Sequence, residues 1–520
     1  MIKVVAYQSK VIDNKVLVED SEGKSILTNN TDELLQFLVT DYSNKANKIW
    51  DVKVSFDLDV FITPILKLLG LEVCKALASP AHEYQGIFYI PSKILRLDIN
   101  GHKSYFYHLQ QYYPDLLDDE LPNVVKKTQN IMDALQSINM GSLSLTSPIA
   151  VYEKQMLDKL NLPSIIDIPT GCEEIITYAE ECCRNSSEWV ESFKVGHWND
   201  GEVYQYDISS AFPYYASQLY DIRYSTMVKS KELLPKAVWG FLKGKITIND
   251  NIQVSPFLYR NNEDSMISPI GSWDTYITLD KLNFLLKYNI GTFELENGWF
   301  VNFRAPVKPL EIPIQRLFDL REKGDLVKSL VKRMAVGVVG KFLERHDDDT
   351  VGKYYNPLYA AQARTRTMLQ VASLIYKNNL QDSLIHIGVD SVMTSERVAI
   401  PQQSGMGSWR EENIGATLVM SSGRVYHGNK KPQGLNYDQI VKLINDKPNE
   451  SYYTMGLMRP QTLAESIQNN DFDGLGRMKD TDSSFDLNLL KIDQDRIFKK
   501  FPKTGKELLA NKYSSSPIKE

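Results

Sequence analysis

The apolar residues of the chain fall into short alternating runs broken by turn-forming residues, with helical spacing in a few longer stretches. Lys3–Tyr7 and Lys15–Glu19 read as a hairpin, and Lys53–Phe61 as a strand that runs into an apolar helix over Thr63–Leu69. Phe88–Ile90, Leu95–Ile99 and Ser104–Tyr107 predict further strands, so residues 1–195 are expected to form one α/β domain. Val203–Tyr206 reads as a short strand that ends near Pro213, a residue unable to continue a ladder. Ala211–Tyr220 continues as a helix, Gly240–Asn249 as a strand, and 250–305 as strand-like, turn-rich sequence. Ile312–Phe342 has the spacing of a helical hairpin turning near Gly324, and Ala360–Tyr376 that of an amphipathic helix. Leu384–Val392 reads as one apolar strand, Gln439–Leu443 and Leu463–Gln468 as helices, and 513–520 as a frayed end.

Three of these runs deliver charge to a defined place. Val203–Pro213 carries Asp207 at the end of its strand, and Leu384–Val392 carries Asp390 within an otherwise apolar run. An isolated Asp-x-x-Ser is also ordinary turn chemistry. A carboxylate inside an apolar strand, however, is costly unless it is paired or bound to metal. Two such acids are the minimum for a two-metal phosphoryl-transfer site. Between them, Lys328–Phe342 sets Lys328, Lys332 and Lys341 among apolar residues at helical spacing. That face can neutralise a triphosphate or stand as a solvated basic surface.

Composition narrows the class. At 520 residues and 43% hydrophobic, the chain has room for several domains with ample core. No run reaches the roughly 18 uninterrupted apolar residues of a membrane span. The opening Met1-Ile2-Lys3 leads directly into a strand-like run, which predicts no signal peptide and a cytoplasmic protein. The four cysteines, Cys74, Cys172, Cys182 and Cys183, contain no C-x-x-C pair and point to a reducing compartment without zinc. A net charge of −6 argues against a nucleic-acid protein, although bases concentrate locally at 323–341 and 496–512.

The order of motifs is more specific than any one of them. D-x-x-S-x-F-P at Asp207–Pro213, K-x₇-G-K-F ending at Phe342, and V-D-S at Val389–Ser391 resemble motifs A, B and C of family B DNA polymerases. The likeness is greatest to the compact branch of protein-primed phage, linear-plasmid and organellar enzymes. Ser268–Trp273 resembles the P-x-G-x-W stretch of that family, and Gly405–Glu412 (G-M-G-S-W-R-E-E) its L-G-x-W-x-x-E segment. Arg424-Val425-Tyr426 resembles the K-x-Y element that grips the primer, Lys431–Gly434 the following K-x-x-G, and Asp493–Phe498 an element near the C-terminus. The resemblance implies a multidomain α/β and α+β fold, with a ribonuclease-H-like N-terminal domain before a right-hand polymerase module. The expected boundaries are 1–195 for the exonuclease-like domain, 196–304 for the first part of the palm, with room for an insertion that would contact a priming protein, and 305–345 for the fingers. The second part of the palm would be 346–420 and the thumb 421–520.

The same resemblance assigns roles. Asp207 and Asp390, with the Ile208 carbonyl, would hold two Mg²⁺ ions, for which Mn²⁺ can substitute. Lys332 would act on the triphosphate, with Ser210, Phe212, Arg321 and Gly340 also at the nucleotide, Phe212 against the sugar. Lys341, Arg424, Tyr426, Lys431, Arg496 and Lys499 would contact DNA. The implied activity is template-directed DNA synthesis on a primer-template from deoxynucleoside triphosphates, in phage, virus or plasmid replication in the host cytoplasm, with a priming or processivity protein as a further partner and no membrane.

The departures from the family pattern carry their own expectations. The opening strand Val4–Gln8 lacks the D-x-E of an exonuclease. Asp57 and Asp59 match the second exonuclease motif, but the third finds only Tyr178 with Cys182 in its fourth place after. Proofreading is therefore expected to be lost, with Asp57 and Asp59 structural. Trp189 and Trp198, in the linking stretch 180–200, are read as core, with stacking on a base as the alternative. Gly388 replaces the first acid of motif C, and Val339 the aromatic that floors the nascent base pair. A later D-T-D-S at Asp480–Ser483 lies out of order and reads as a solvated loop. These losses keep open a catalytically silent, polymerase-like DNA-binding subunit, and also an accessory lesion-bypass or primer-making polymerase.

Overall fold

The computed structural model describes residues 2–41, 50–109, 120–137, 156–186, 189–234, 236–260, 266–323, 325–400, 404–421, 423–429, 436–449, 452–486 and 496–520. Gly324, Lys431–Gly434 and 493–495, all used in the sequence reading, lie outside the described residues. The chain divides into two compact units, 1–155 with 319–334 and 454–483, and 156–318 with 335–453 and 484–520.

In the first unit the expected hairpin forms from β1 (Ile2–Ile12) and β2 (Lys15–Asp20), extended by β3 (Ser25–Thr28) and flanked by β4 (Trp50–Ser55). Then come β5 (Glu83–Tyr84), β6 (Ile87–Ile90), β7 (Ile94–Ile99) and β8 (His102–His108), giving the sheet order 3-2-1-4-8-7-6-5. β1, β4 and β8 run parallel at its centre. Helices α1 (Thr31–Leu38), α2 (Leu58–Leu69), α3 (Leu71–Ala78) and α4 (Leu121–Ser137) belong to the same unit. Its core joins Val5, Tyr7, Phe61, Ile65 and Phe106 to Leu463 and Leu475. Residues 454–483, read in the sequence as thumb, thus belong to this unit. The rejected Asp480–Ser483 is not a loop but lies within a strand, Met478–Asp486, which pairs with Tyr452–Pro460.

The second unit is built on a five-stranded antiparallel sheet. Its strands are β9 (Val190–Ser192), β11 (Tyr204–Ile208), β18 (Leu384–Gly388), β19 (Ser391–Thr394) and β20 (Trp409–Glu412), in the order 20-11-19-18-9. The strand intervening in sequence, β10 (Lys194–Trp198), joins a second sheet with β21 (Thr417–Val419), β22 (Val425–His427), β25 (Arg496–Phe498) and β26 (Lys512–Pro517). A third sheet holds β12 (Ser225–Ser230), β13 (Trp239–Ile248), β16 (Gly271–Thr278) and β17 (Gly291–Phe303). Helix α5 (Glu174–Arg184), which the sequence reading put in the first domain, packs here, on β13, β16 and α10 (Pro357–Lys377). The remaining helices of this unit that bear on the site are α6 (Ala211–Ser217), shorter than expected, and α7 (Leu279–Tyr288).

Two local signals place α10. Asn356 caps it, its side chain accepting from the Tyr359 amide, and Pro357 sits at the first turn, where its missing N–H costs nothing. Met368, Val371 and Ile375 on this helix pack with Tyr206, Ile208, Ile387 and Val392 of the central sheet. Trp189 and Trp198 are both buried, as their core reading requires. The C-terminus is not frayed: β26 pairs with β10 and β25, and the Glu520 amide donates to the Ile270 carbonyl at 2.8 Å. No helix among the described residues is long and apolar enough to cross a membrane.

Arg496 corrects one expected DNA contact. Its guanidinium is 1% exposed and pairs with Glu191, itself 3% exposed, at 2.5 Å. It also lies over the Phe193 ring, 4.3 Å from the centroid, and donates to Ser515 Oγ at 2.6 Å. A guanidinium so enclosed ties β25 to β9 and has no face left for a phosphate.

Two outcomes follow from this packing. Arg496→Ala leaves the Glu191 carboxylate buried and unpaired, and should lower stability by about 3–5 kcal/mol in a denaturant titration; restoring packing with Arg496→Met and Glu191→Leu together should recover much of that. His386 on β18 is buried, and burial pushes its pKa down to about 3. An unfolded histidine takes its proton near pH 6.5, so the unfolded state binds more protons between pH 6.5 and about 3, and stability falls as pH is lowered through that window. The slope from this one group approaches about 1.4 kcal/mol per pH unit, and the stability–pH curve of His386→Asn should lack it.

Candidate active site

The sequence Y-Q-Y-D-I sends alternate residues to opposite faces of β11. Tyr206 and Ile208 enter the core, while Asp207 lies on the other face, partly exposed. β11 is paired on both sides, with Asp207 opposite Ser391 on β19 and opposite Arg410 on β20. The chain then turns sharply. Ser210 adopts the left-handed conformation at φ 53°, and its carbonyl starts α6 by accepting from the Tyr214 amide at 2.8 Å.

Asp390 is not inside a continuous strand, as the apolar run suggested, but in the two-residue turn joining β18 to β19. Gly388 and Ser391 form the closing pair, and Val389 and Asp390 are the turn residues. Val389 sits at φ 59°, a conformation that turns normally give to glycine or asparagine. The Ile208 amide donates to the Asp390 carbonyl at 3.0 Å. This bond, beside the pairing of Asp207 with Ser391, brings the two expected metal-ligating acids and Ile208 to one end of the sheet. The oxygens gathered there are carboxylates and backbone carbonyls, the set that suits Mg²⁺ or Mn²⁺, and Mg²⁺ commonly takes only one or two protein carboxylates beside substrate phosphates.

A cavity of about 260 Å³ opens beside this end, lined by Phe212 of α6, Val339 and Gly340, Val389 of the turn, Arg364 of α10, and Trp189. Phe212 and Gly340, predicted to meet the nucleotide, therefore share one space, and Val339 forms part of its wall where the family has an aromatic. Arg364 has no role in the sequence reading; its place at this cavity comes from the packing of α10 on α5. Arg366, on the same helix, instead pairs with Asp280 of α7 at 2.9 Å.

Arg410 is a second residue at the candidate site that the sequence reading does not single out. Its Nη2 donates to Asp207 Oδ2 at 2.7 Å and its Nε to the same oxygen at 3.2 Å. The same guanidinium lies 3.0 Å from Glu412 Oε1. The signal was present in the quoted W-R-E-E, whose alternation puts Arg410 and Glu412 on one face, but the register against β11 is not visible in one segment alone.

The other expected residues are dispersed. Lys328 and Lys332 are exposed on α9 (Asp325–Gly340), which follows α8 (Glu311–Asp319), and Arg321 lies in the 3₁₀ turn Leu320–Lys323 between the two helices. All three belong to the stretch of the helical hairpin that groups with the first unit. Lys341 is half-buried and pairs with Glu344. Arg424 is exposed beside β22, and Tyr426 is half-buried on it. Lys499 is exposed just after β25.

In the first unit the candidate exonuclease acids have structural work. Asp57 caps α2, accepting from the amides of Asp59 and Val60, and Asp59 accepts from Tyr89 Oη at 2.5 Å and Ser92 Oγ at 2.6 Å. Tyr178 and Cys182, the failed third motif, lie on α5 in the second unit, a different packing environment from the sheet they were read against.

One glycine locks the site's two loops together. Gly407 has φ +76°, and a Cβ there would come within 2.5 Å of the Tyr214 ring on α6. Its amide donates to the Ser209 carbonyl and its carbonyl accepts from Gln370 Nε2, both at 2.7 Å. Gly407→Ala should cost about 1–3 kcal/mol through overpacking and its positive φ, read as a lower thermal or denaturant midpoint, with only the overpacking part of the shift relieved by Tyr214→Ala.

At the level of sequence the chain matches no family model and no curated protein. Its fold is nevertheless that of known polymerases. It is similar to phi29 DNA polymerase in complex with primer-template DNA, with a TM-score of 0.53 at 12% identity over 93% of this chain and 100% of that one. The orthorhombic crystal form of the phi29 enzyme gives 0.53 at 12% identity, over 94% and 100%. The phi29 ternary complex with primer-template and incoming nucleotide gives 0.51 at 12% identity, over 94% and 99%. The likeness runs the length of both chains and establishes a DNA-polymerase-like fold.

Proposed function

We propose that the protein is a template-directed DNA polymerase that extends a 3′-hydroxyl by phosphoryl transfer. The observation that carries this reading is the meeting of Asp207 and Asp390 at one end of a sheet, beside a cavity lined by Phe212 and Gly340, in a chain whose fold is that of a polymerase. Asp207, Asp390 and the Ile208 carbonyl are the residues that would hold two divalent ions. Bound there, such ions supply a lowered pKa for the primer hydroxyl and charge neutralisation for the departing pyrophosphate. Phe212 packs at the edge of the cavity, where a ring would exclude a 2′-hydroxyl. Lys332 and Arg321, both on the helical hairpin, are the proposed cations for the triphosphate, and Lys332 is the proposed proton donor to the leaving group. Exposed Arg424 and Lys499, with Tyr426, are the proposed contacts to duplex DNA.

The first unit is proposed to be a scaffold of the ribonuclease-H-like kind, supported by its parallel β1, β4 and β8 and by the structural engagement of Asp57 and Asp59. The role proposed for the chain, from the motif resemblance, is replication of a phage, virus or plasmid. A specific observation favours a second reading: Gly388 stands where the family has an acid, and Arg410 already occupies Asp207. On that reading the chain is a silent DNA-binding subunit.

Primer extension on a labelled hairpin template separates the two. The polymerase reading expects extension in Mg²⁺ or Mn²⁺, a loss of at least about 10³-fold in Asp207→Ala and Asp390→Ala, and a loss of about 10²-fold in Lys332→Ala. DNA binding without extension in either metal, with or without an added priming protein, would favour the silent subunit. Shortening of the primer when nucleotides are withheld would overturn the scaffold role of the first unit.

A further inference from the structure

The metal-ligating role proposed for Asp207 meets an obstacle, because the carboxylate already carries a cation. Antiparallel pairing sets Arg410 directly across from Asp207, and Glu412 across from Gln205. Directly opposed side chains of opposite charge attract, and here two guanidinium nitrogens converge on the single oxygen Asp207 Oδ2. Nη2, which donates to Asp207, also lies 3.0 Å from Glu412 Oε1, and Glu412 accepts a further bond from Gln205 Nε2 at 3.3 Å. The Arg410 side chain is 46% exposed, against 19% for Asp207 and 22% for Glu412, so the cation lies over two half-enclosed carboxylates.

An arginine does not leave such a place by losing its proton, because guanidinium stays charged at any working pH. It leaves when another cation takes its carboxylate. An ion pair this exposed adds little to stability, so a purely structural role explains it poorly. Glu412 gives the displaced guanidinium somewhere to stay without crossing the sheet, since Arg410 and Glu412 share one face of β20.

We propose that Arg410 is a resident counter-cation of the metal site, occupying Asp207 in place of one divalent ion, and that metal uptake at Asp207 proceeds by displacing it onto Glu412. The proposal rests on Asp207 being a metal ligand. It makes the empty-handed enzyme electrostatically complete before metal arrives, and it makes metal affinity a property that β20 tunes.

The test is a Mn²⁺ titration followed by electron paramagnetic resonance, without DNA or nucleotide, on the full chain. Arg410→Ala is expected to bind Mn²⁺ three- to tenfold more tightly than wild type, at a site that Asp207→Ala removes. Glu412→Gln takes away the alternative carboxylate and should weaken Mn²⁺ binding two- to threefold, while Arg410→Lys should fall between wild type and Arg410→Ala. Thermal midpoints of each variant report folding. Should Arg410→Ala lose its fold, Arg410→Lys and Glu412→Gln still decide by the direction of their shifts. Unchanged or weaker Mn²⁺ binding in the Arg410 variants, with Asp207→Ala still abolishing it, would overturn the displacement and leave the metal-ligand reading intact. Mn²⁺ binding that survives Asp207→Ala, or no binding in any variant, would overturn both.

Discussion

The register of β11 is the constraint on which the site depends. This strand is paired along both edges, to β19 and to β20, so every side chain on it is fixed relative to two neighbours at once. Because side chains alternate across a strand, a slip of one residue would carry Asp207 into the core and Tyr206 out of it. The buried faces of Tyr206 and Ile208 against α10 oppose that slip. The geometry of the proposed site is thus a by-product of hydrophobic packing on the reverse face of the sheet, and the bond from Ile208 to the Asp390 carbonyl transmits it to the second acid.

Much of this was legible in the sequence because it is local. Alternation marked β11, the hairpin of the first unit and most of its strands, and helical spacing marked α10 to within a few residues. Asp207 stands out in the sequence because a proline and two serines punctuate the strand that carries it. Asp390 stands out too, but its turn does not, because Val389 is a β-branched residue in a turn conformation that its type avoids, and the apolar run conceals the turn. Such a residue is held only by its surroundings, here the Trp189 carbonyl that accepts from its amide at 2.8 Å.

What the sequence hid is non-local. Arg410 gains its meaning from a strand about two hundred residues earlier, at |i−j| of 203, which no reading of W-R-E-E alone supplies. Arg496 was misread for the converse reason. A basic residue among aromatics looks like a nucleic-acid contact, but Phe193 and Glu191 come from a distant strand to enclose it. The same blindness applies to 454–483, whose apolar residues complete a core formed more than three hundred residues before them.

That last arrangement bears on how the protein is made. Leu463 and Leu475 belong to the apolar cluster of the first unit, so that core stays incomplete until they have been synthesised. At about 5–20 residues per second, that wait is on the order of half a minute. Domains generally fold as units and N-terminal first, but here the N-terminal unit must close around sequence from near the other end. Biogenesis of this protein therefore falls under the same pressure as other folds of long-range contact, slow assembly with apolar surface on display, and a chaperone requirement would arise from topology rather than from instability of the finished fold.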